Sequence, residues 1–158
     1  MSFDLNTGSK PRVMAYSSEK ADLDRLMMVW ANKFPDMPEN IMLIKYEYFA
    51  AKTVGMALSS VQGSAITNRY ILGGYKAEYS FEIHYQIEPP GASDGKRLDA
   101  VEVLNKFADW AQTQRPDIGE GRRALRVEPT AYASYLGATT DQYEDYYVPM
   151  KLTYEVNV

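Results

Sequence analysis

Two stretches of strict alternation decide what this chain can fold into. From Tyr75 to Glu88, the residues Tyr75, Ala77, Tyr79, Phe81, Ile83, Tyr85 and Ile87 point one way. Lys76, Glu78, Ser80, Glu82, His84, Gln86 and Glu88 point the other. A repeat of two belongs to extended chain, so this is a strand with one face buried and one face wet or partnered. The pattern returns at Tyr146, Val148, Met150, Leu152, Tyr154, Val156 and Val158. There Pro149, which has no N–H to give a ladder, argues for an edge position or an irregular start.

Ahead of the first of these strands, Ile66, Asn68, Tyr70 and Leu72 alternate, and Gly73-Gly74 supplies a turn that tolerates positive φ. This predicts a hairpin with a two-residue loop. Such a loop sets Leu72 opposite Tyr75, Arg69 opposite Glu78 and Ile66 opposite Phe81, matching charge with charge and apolar with apolar. A shorter strand over Met56–Val61 turns at Gly63. From Ser18, a good N-cap, Leu23, Leu26, Met27, Trp30 and Phe34 recur at helical spacing until Pro35 and Pro38 stop the helix. Pro89-Pro90-Gly91 ends the long strand, and Ser93 or Asp94 caps a second helix. Its apolar stripe is Leu98, Val101, Leu104, Phe107, Ala108 and Ala111. A polar loop, Arg115–Arg123, leads to a strand near Ala124–Thr130, while Ile41–Lys52 fits neither period cleanly and Tyr132–Leu136 is assigned to no element. The expected class is α+β: a mainly antiparallel β-sheet with two α-helices packed on one face, one domain over 18–158 behind an extended arm over 1–17.

The chemistry available is narrow. The 158 residues include no cysteine, which removes disulfides, thiolate nucleophiles and cysteine-ligated metals. His84 is the only histidine. It falls on the polar side of its strand with no serine motif to make a triad, so an exposed or interface role is expected and catalysis is not. Asp141, Glu144 and Asp145 are acidic neighbours, but they lack the spacing of a calcium loop and read as a solvated loop. Gly73-Gly74 and Gly119-Glu120-Gly121 read as turns, since neither has the context of a phosphate loop. Arg115, Arg122 and Arg123 cluster, with Asp117 and Glu120 at hand to pair with them, and the net charge of −4 does not suit a protein whose task is to hold DNA. No apolar run approaches a membrane span. The start, Met1–Tyr16, lacks the pattern of a secretion signal, so maturation in the cytoplasm is expected. Thirteen tyrosines in strand-like segments suit a sheet or an interface that offers hydroxyls to a partner.

The run from Arg69 through Gly73-Gly74 to Tyr85 resembles the central hairpin of bacteriophage tail terminator proteins, the minor capsid proteins of phages and prophages of Gram-positive bacteria. A helix like Leu98–Ala111 ending in Trp110, then Gly121-Arg122-Arg123 and a terminal Leu152-Thr153-Tyr154-Glu155, follows in the same order. The likeness spans roughly Ala21 to Val156. It implies a homohexameric ring in the virion, assembled in the host cytoplasm, that caps the head-proximal end of the tail tube. The implied partners are the tube protein, a head-tail connector or stopper protein, and a sheath protein if the tail contracts, with DNA only passing through the lumen. It implies no enzyme activity, no cofactor and no metal. A head completion protein, or another minor structural tail protein, is the alternative; a small carboxylate hydrolase would need two acidic groups converging in a pocket. The residues offered for contact between subunits are Arg115, Arg122, Arg123, His84, Tyr143, Tyr146 and Tyr147, together with the arm and the loops Gly91–Gly95 and Asp117–Arg123.

Overall fold

The computed structural model describes residues 16–47, 54–88, 94–138 and 143–157. The chain runs α1 (Tyr16–Ala31), β1 (Ile44–Tyr46), β2 (Gly55–Arg69), β3 (Tyr75–Ile87), α2 (Asp94–Gln112), β4 (Arg122–Pro129), β5 (Ser134–Ala138) and β6 (Glu144–Val156). The fold is α+β. One six-stranded sheet has the order β1-β2-β3-β6-β4, with β5 also pairing β6. β1 runs parallel to β2 and the remaining pairs are antiparallel. Residues 1–15 of the expected arm lie outside the described residues, and Tyr16 and Ser17 already belong to α1.

The two alternating stretches form the middle of the sheet. β3 and β6 pair along their whole lengths, from Tyr75↔Val156 to Ile87↔Glu144. Among the described residues the apolar set of each is buried as expected, including Tyr75, Tyr79, Phe81, Val148, Leu152 and Tyr154, while Val158 lies outside the described residues. β6 is nevertheless central and not an edge, because β4 and β5 line its other side in succession. Pro149 is tolerated for a local reason. In extended chain a residue's N–H and C=O point to the same side, and the Pro149 carbonyl accepts from the Thr130 N–H at 2.9 Å. The missing N–H therefore faces the junction where β4 has ended, at Pro129↔Met150, and β5 has yet to begin, at Ser134↔Tyr147. No ladder bond is lost there.

Both helices lie on one face of the sheet and meet over an aromatic cluster. Trp30 of α1 stacks on Trp110 of α2 at 5.0 Å and meets Phe107 edge-on at 5.6 Å and Phe81 of β3 at 6.2 Å. Leu23, Met27, Trp30 and Phe34 are buried as expected, with Leu26 half-buried. Asn32 then closes α1 by donating to the Met28 carbonyl (2.9 Å), and it also pairs both ways with the backbone of Ile44 (2.7 and 3.0 Å). That tie places β1, in the stretch that fits neither period. In α2 the expected stripe is displaced at its start: Ala100, Leu104, Phe107, Ala108 and Ala111 are buried, whereas Leu98 is 63% exposed. Arg97 takes the sheet-facing place instead, to reach Glu144 of β6.

The hairpin departs from expectation in register. Gly63 is no turn: β2 runs through it as one 15-residue strand, with a register shift between Ser60 and Ser64. A bulge absorbs the extra residues without breaking the pairing. The loop is longer than two residues, since Tyr70 N–H donates to the Gly74 carbonyl (3.1 Å) and Gly73 N–H to the Tyr70 carbonyl (3.2 Å). Arg69 therefore faces Tyr75, Ile66 faces Ala77 and Phe81 faces Ser60. Glu78 finds its cation on the other side, in Lys151 of β6 at 3.3 Å. Gly73 and Gly74 do take positive φ, 95° and 81°. A Cβ on Gly74 would come within 2.4 Å of the Val156 carbonyl, so the turn lies against the end of β6.

Candidate functional site

Four tyrosines of the sheet, Tyr46, Tyr75, Tyr79 and Tyr154, turn their hydroxyls to α1. Glu19 is only 5% exposed and accepts from Tyr75 and, at 2.8 Å, from Tyr154. One turn further on, Asp24 accepts from Tyr79 and from Tyr46 (2.8 Å) and pairs with Lys20 (2.7 Å), which also donates to Ser60 (2.9 Å). Burial, then the bond to the carboxylate, pushes the Tyr75 and Tyr79 hydroxyls far above the usual tyrosine range. Burial alone would raise the Asp24 carboxyl, but the bonds from Lys20, Tyr79 and Tyr46 outweigh it and hold it below the usual carboxylate value. These four tyrosines dock the helix; Tyr75, Tyr79 and Tyr154 are fully covered, and Tyr46 keeps part of its ring exposed. Sequence reasoning missed this network although a signal was present: Glu19 lies four residues before Leu23, on the helix's own apolar stripe.

His84 is buried, at 9% exposure, and not on a wet surface. Its Nε2 faces Glu82 at 2.9 Å, its Nδ1 faces Asp145 at 3.2 Å, and its ring stacks on Tyr147 with centroids 5.8 Å apart. Burial acts to lower its pKa, and the Asp145 and then Glu82 carboxylates overcome it, so the net shift is upward. Both ring nitrogens are thus engaged by carboxylates, which suits an ion-paired tie between β3 and β6. The two acidic residues expected in a solvated loop are strand residues with fixed partners; Asp141 lies outside the described residues. Asp145 holds His84. Glu144, 8% exposed, accepts a bidentate Arg97 (3.0 and 2.9 Å) and the Tyr146 hydroxyl (3.0 Å). Tyr146 is itself buried against Tyr135, and burial with the Glu144 bond takes its hydroxyl up to about 12. Tyr143 and Tyr147 are half-buried.

The three arginines do not form one cluster. Arg122 turns inward, donating to the Ile118 carbonyl (2.8 Å) and to Asp22 of α1 (3.3 Å). Arg123 pairs with Glu155, which also accepts from Tyr70 (2.8 Å), and Arg115 is exposed beside the Gln114 carbonyl (2.9 Å). Asp117 accepts from the Gly119 N–H at 3.1 Å and so shapes the turn. The expected pairing with Asp117 and Glu120 is replaced by cross-element pairs, because Arg122 and Arg123 sit in β4 and project to opposite faces of the sheet. Of the seven expected contact residues, Arg115, Arg123, Tyr143 and Tyr147 keep exposed surface, while His84, Tyr146 and most of the Arg122 side chain are internal.

What the surface does present is apolar and divided. At the hairpin end stand Tyr70, Ile71 and Leu72, the last two 101% and 98% exposed. On the opposite flank stand Tyr132, Tyr135 and Leu136, along the β4–β5 connection and β5, a strand paired on one side only. Among the described residues no helix is long and apolar enough to cross a membrane, and no group of three or more His, Cys, Asp or Glu is placed to hold a metal ion. Comparison with protein-family models and with curated proteins returns no match.

Proposed function

We propose that this chain is a virion structural protein whose copies form a closed ring, capping the head-proximal end of a phage tail tube and joining it to the head connector. The observation that carries the reading is the separation of two of its exposed apolar patches, the Tyr70–Leu72 tip and the Tyr132–Leu136 flank. A two-fold dimer uses one self-complementary patch. Two different patches on opposite sides of a rigid sheet suit a heterologous contact, which repeats from copy to copy and closes into a ring if the rotation allows. The likeness of the Arg69–Tyr85 hairpin and its following elements to tail terminators gives such a ring its place. The titratable groups with strong partners, Glu19, Asp24, His84, Glu144 and Asp145, are engaged in holding elements together, which accords with a structural and not a catalytic role.

The test is genetic and biochemical. Deleting the gene is expected to leave heads without joined tails and tubes of uncontrolled length, and adding the purified protein to growing tubes is expected to arrest them. Normal tubes with heads that lose their DNA would replace this reading with a head completion role, and unaltered particles would defeat both.

A further inference from the structure

We infer that the contact between neighbouring copies is made by the hairpin tip of one chain, Ile71 and Leu72, seated in a groove between α2 and the β4–β5 connection of the next. This rests on the ring reading above and names its interface. The groove has a volume of about 370 Å³ and is lined by Asn105, Ala108, Asp109, Pro129, Ala131 and Tyr132, among others. That is ample room for two aliphatic side chains, and Ala108, Pro129 and the Tyr132 ring supply apolar walls.

Four observations bear on this occupant. The tip is built to project. The two backbone bonds between Tyr70 and the Gly73-Gly74 pair close it, Tyr70 is bonded to Glu155, and Gly74 rests on the Val156 carbonyl. Fully exposed aliphatic residues on a pinned tip make no contact within their own chain. The groove is equally fixed, because Asn105 of α2 accepts from the Ala133 N–H at 3.0 Å and so sets the connection that forms its wall. The charges match, since exposed Arg69 flanks the tip and exposed Asp109 lies on the groove's rim. The sheet order also puts tip and groove on different flanks of the β3–β6 pair, so one chain cannot satisfy both itself. A second cavity of about 430 Å³, near the tip's own end of the sheet, mixes Leu26, Val29 and Val156 with the charged Glu19, Asp22, Arg25 and Arg122, so an aliphatic tip seated there would also desolvate several charged groups.

The chain has no native cysteine, so engineered thiols report the contact without background. The full-length Leu72→Cys, Ala131→Cys double variant, oxidised after assembly, is expected to give a ladder of covalent multimers in denaturing gels. Each single variant should give at most dimers. In parallel, Arg69→Glu or Asp109→Arg should weaken assembly by about tenfold or more, and the two together should restore it, as a direct ion pair requires. Leu72→Glu should weaken it by more than about a hundredfold with an unchanged melting temperature, since the residue touches nothing in its own chain. An intact ring by sizing that yields no ladder and no charge-swap rescue would overturn this interface and leave the ring standing. Leu72→Cys joined to the tube protein in place of a second copy would assign the tip to the tube. A monomer at every concentration, with or without tube protein, would remove both the interface and the ring.

Discussion

Replacing Glu19 by Ala should cost about 2–5 kcal/mol, far more than a helix glutamate usually does. Glu19 is 5% exposed and accepts from the hydroxyls of Tyr75 and Tyr154, residues that are themselves 1% and 0% exposed. Removing the acceptor takes a charged partner from two buried donors, an effect of about 1–3 kcal/mol for each. Arg25→Ala, on the exposed side of the same helix, provides the control and should stay within about 0.5 kcal/mol. Urea unfolding followed by tyrosine and tryptophan fluorescence reads the difference as a shift in midpoint at constant slope. The distinguishing measurement is the triple variant. Adding Tyr75→Phe and Tyr154→Phe to Glu19→Ala removes the donors along with their acceptor, so the combined loss should be smaller than the sum of the three single losses by more than about 1 kcal/mol. A Glu19→Ala loss under about 1 kcal/mol, or strict additivity, would refute the claim that this carboxylate docks α1 onto the sheet.

Other consequences follow from the same geometry. Because the folded pKa of His84 is raised above its ordinary 6.5, the protonated ring favours the fold. Its contribution is complete below that value and is lost as the pH climbs through the folded value. The stability gap between wild type and His84→Asn should therefore narrow as the pH rises above the ordinary 6.5 in denaturation series, and a widening gap would reverse the sign. Leu104→Ala should cost about 2–5 kcal/mol and Leu98→Ala under about 0.5 kcal/mol, since the first is buried and the second is 63% exposed. A double-mutant cycle should find coupling of about 0.2–1 kcal/mol between Glu78 and Lys151 and none between Glu78 and Arg69, which measures the hairpin register directly.

The parts of the fold that could be read from sequence were those governed by a single period. Alternation found the buried faces of β3 and β6, and helical spacing found α1 and most of α2, because each element buries one face against a common core. Register escaped because Arg69 opposite Glu78 and Ile66 opposite Phe81 satisfy the same pairing rules as the register adopted. The choice turned on a longer loop and on a bulge between Ser60 and Ser64, neither of which alternation can detect. Pro149 misled for a related reason: its missing N–H says which side of the strand lacks a bond, not whether the strand is outermost. Candidate contact residues fared worst. Residue type marked Tyr146, His84 and Arg122 as groups able to meet a partner, but whether the partner is another chain or the chain itself depends on long-range pairs such as Glu144 with Arg97 and Asp22 with Arg122.

Where polar residues break the apolar patterns, they set how the layers meet. Glu144 has the same parity as Tyr146 and Val148, so its side chain lies on the buried face of β6, and a cation must come to it; Arg97 does, and Leu98 is turned out to solvent as a result. Glu19 lies on the apolar stripe of α1, and tyrosine hydroxyls come to it in the same way. Unspecific apolar contact would let each helix slide along the sheet, whereas a buried carboxylate with two or three fixed donors permits one position. With Tyr75, Tyr79, Tyr146 and Tyr154 committed inward, the apolar surface left for neighbours includes the aliphatic tip and the Tyr132–Leu136 flank. A rigid frame whose buried carboxylates are held by fixed donors, carrying apolar contacts at two separate places, can add copies at a fixed angle, and a fixed angle is what a closed ring requires.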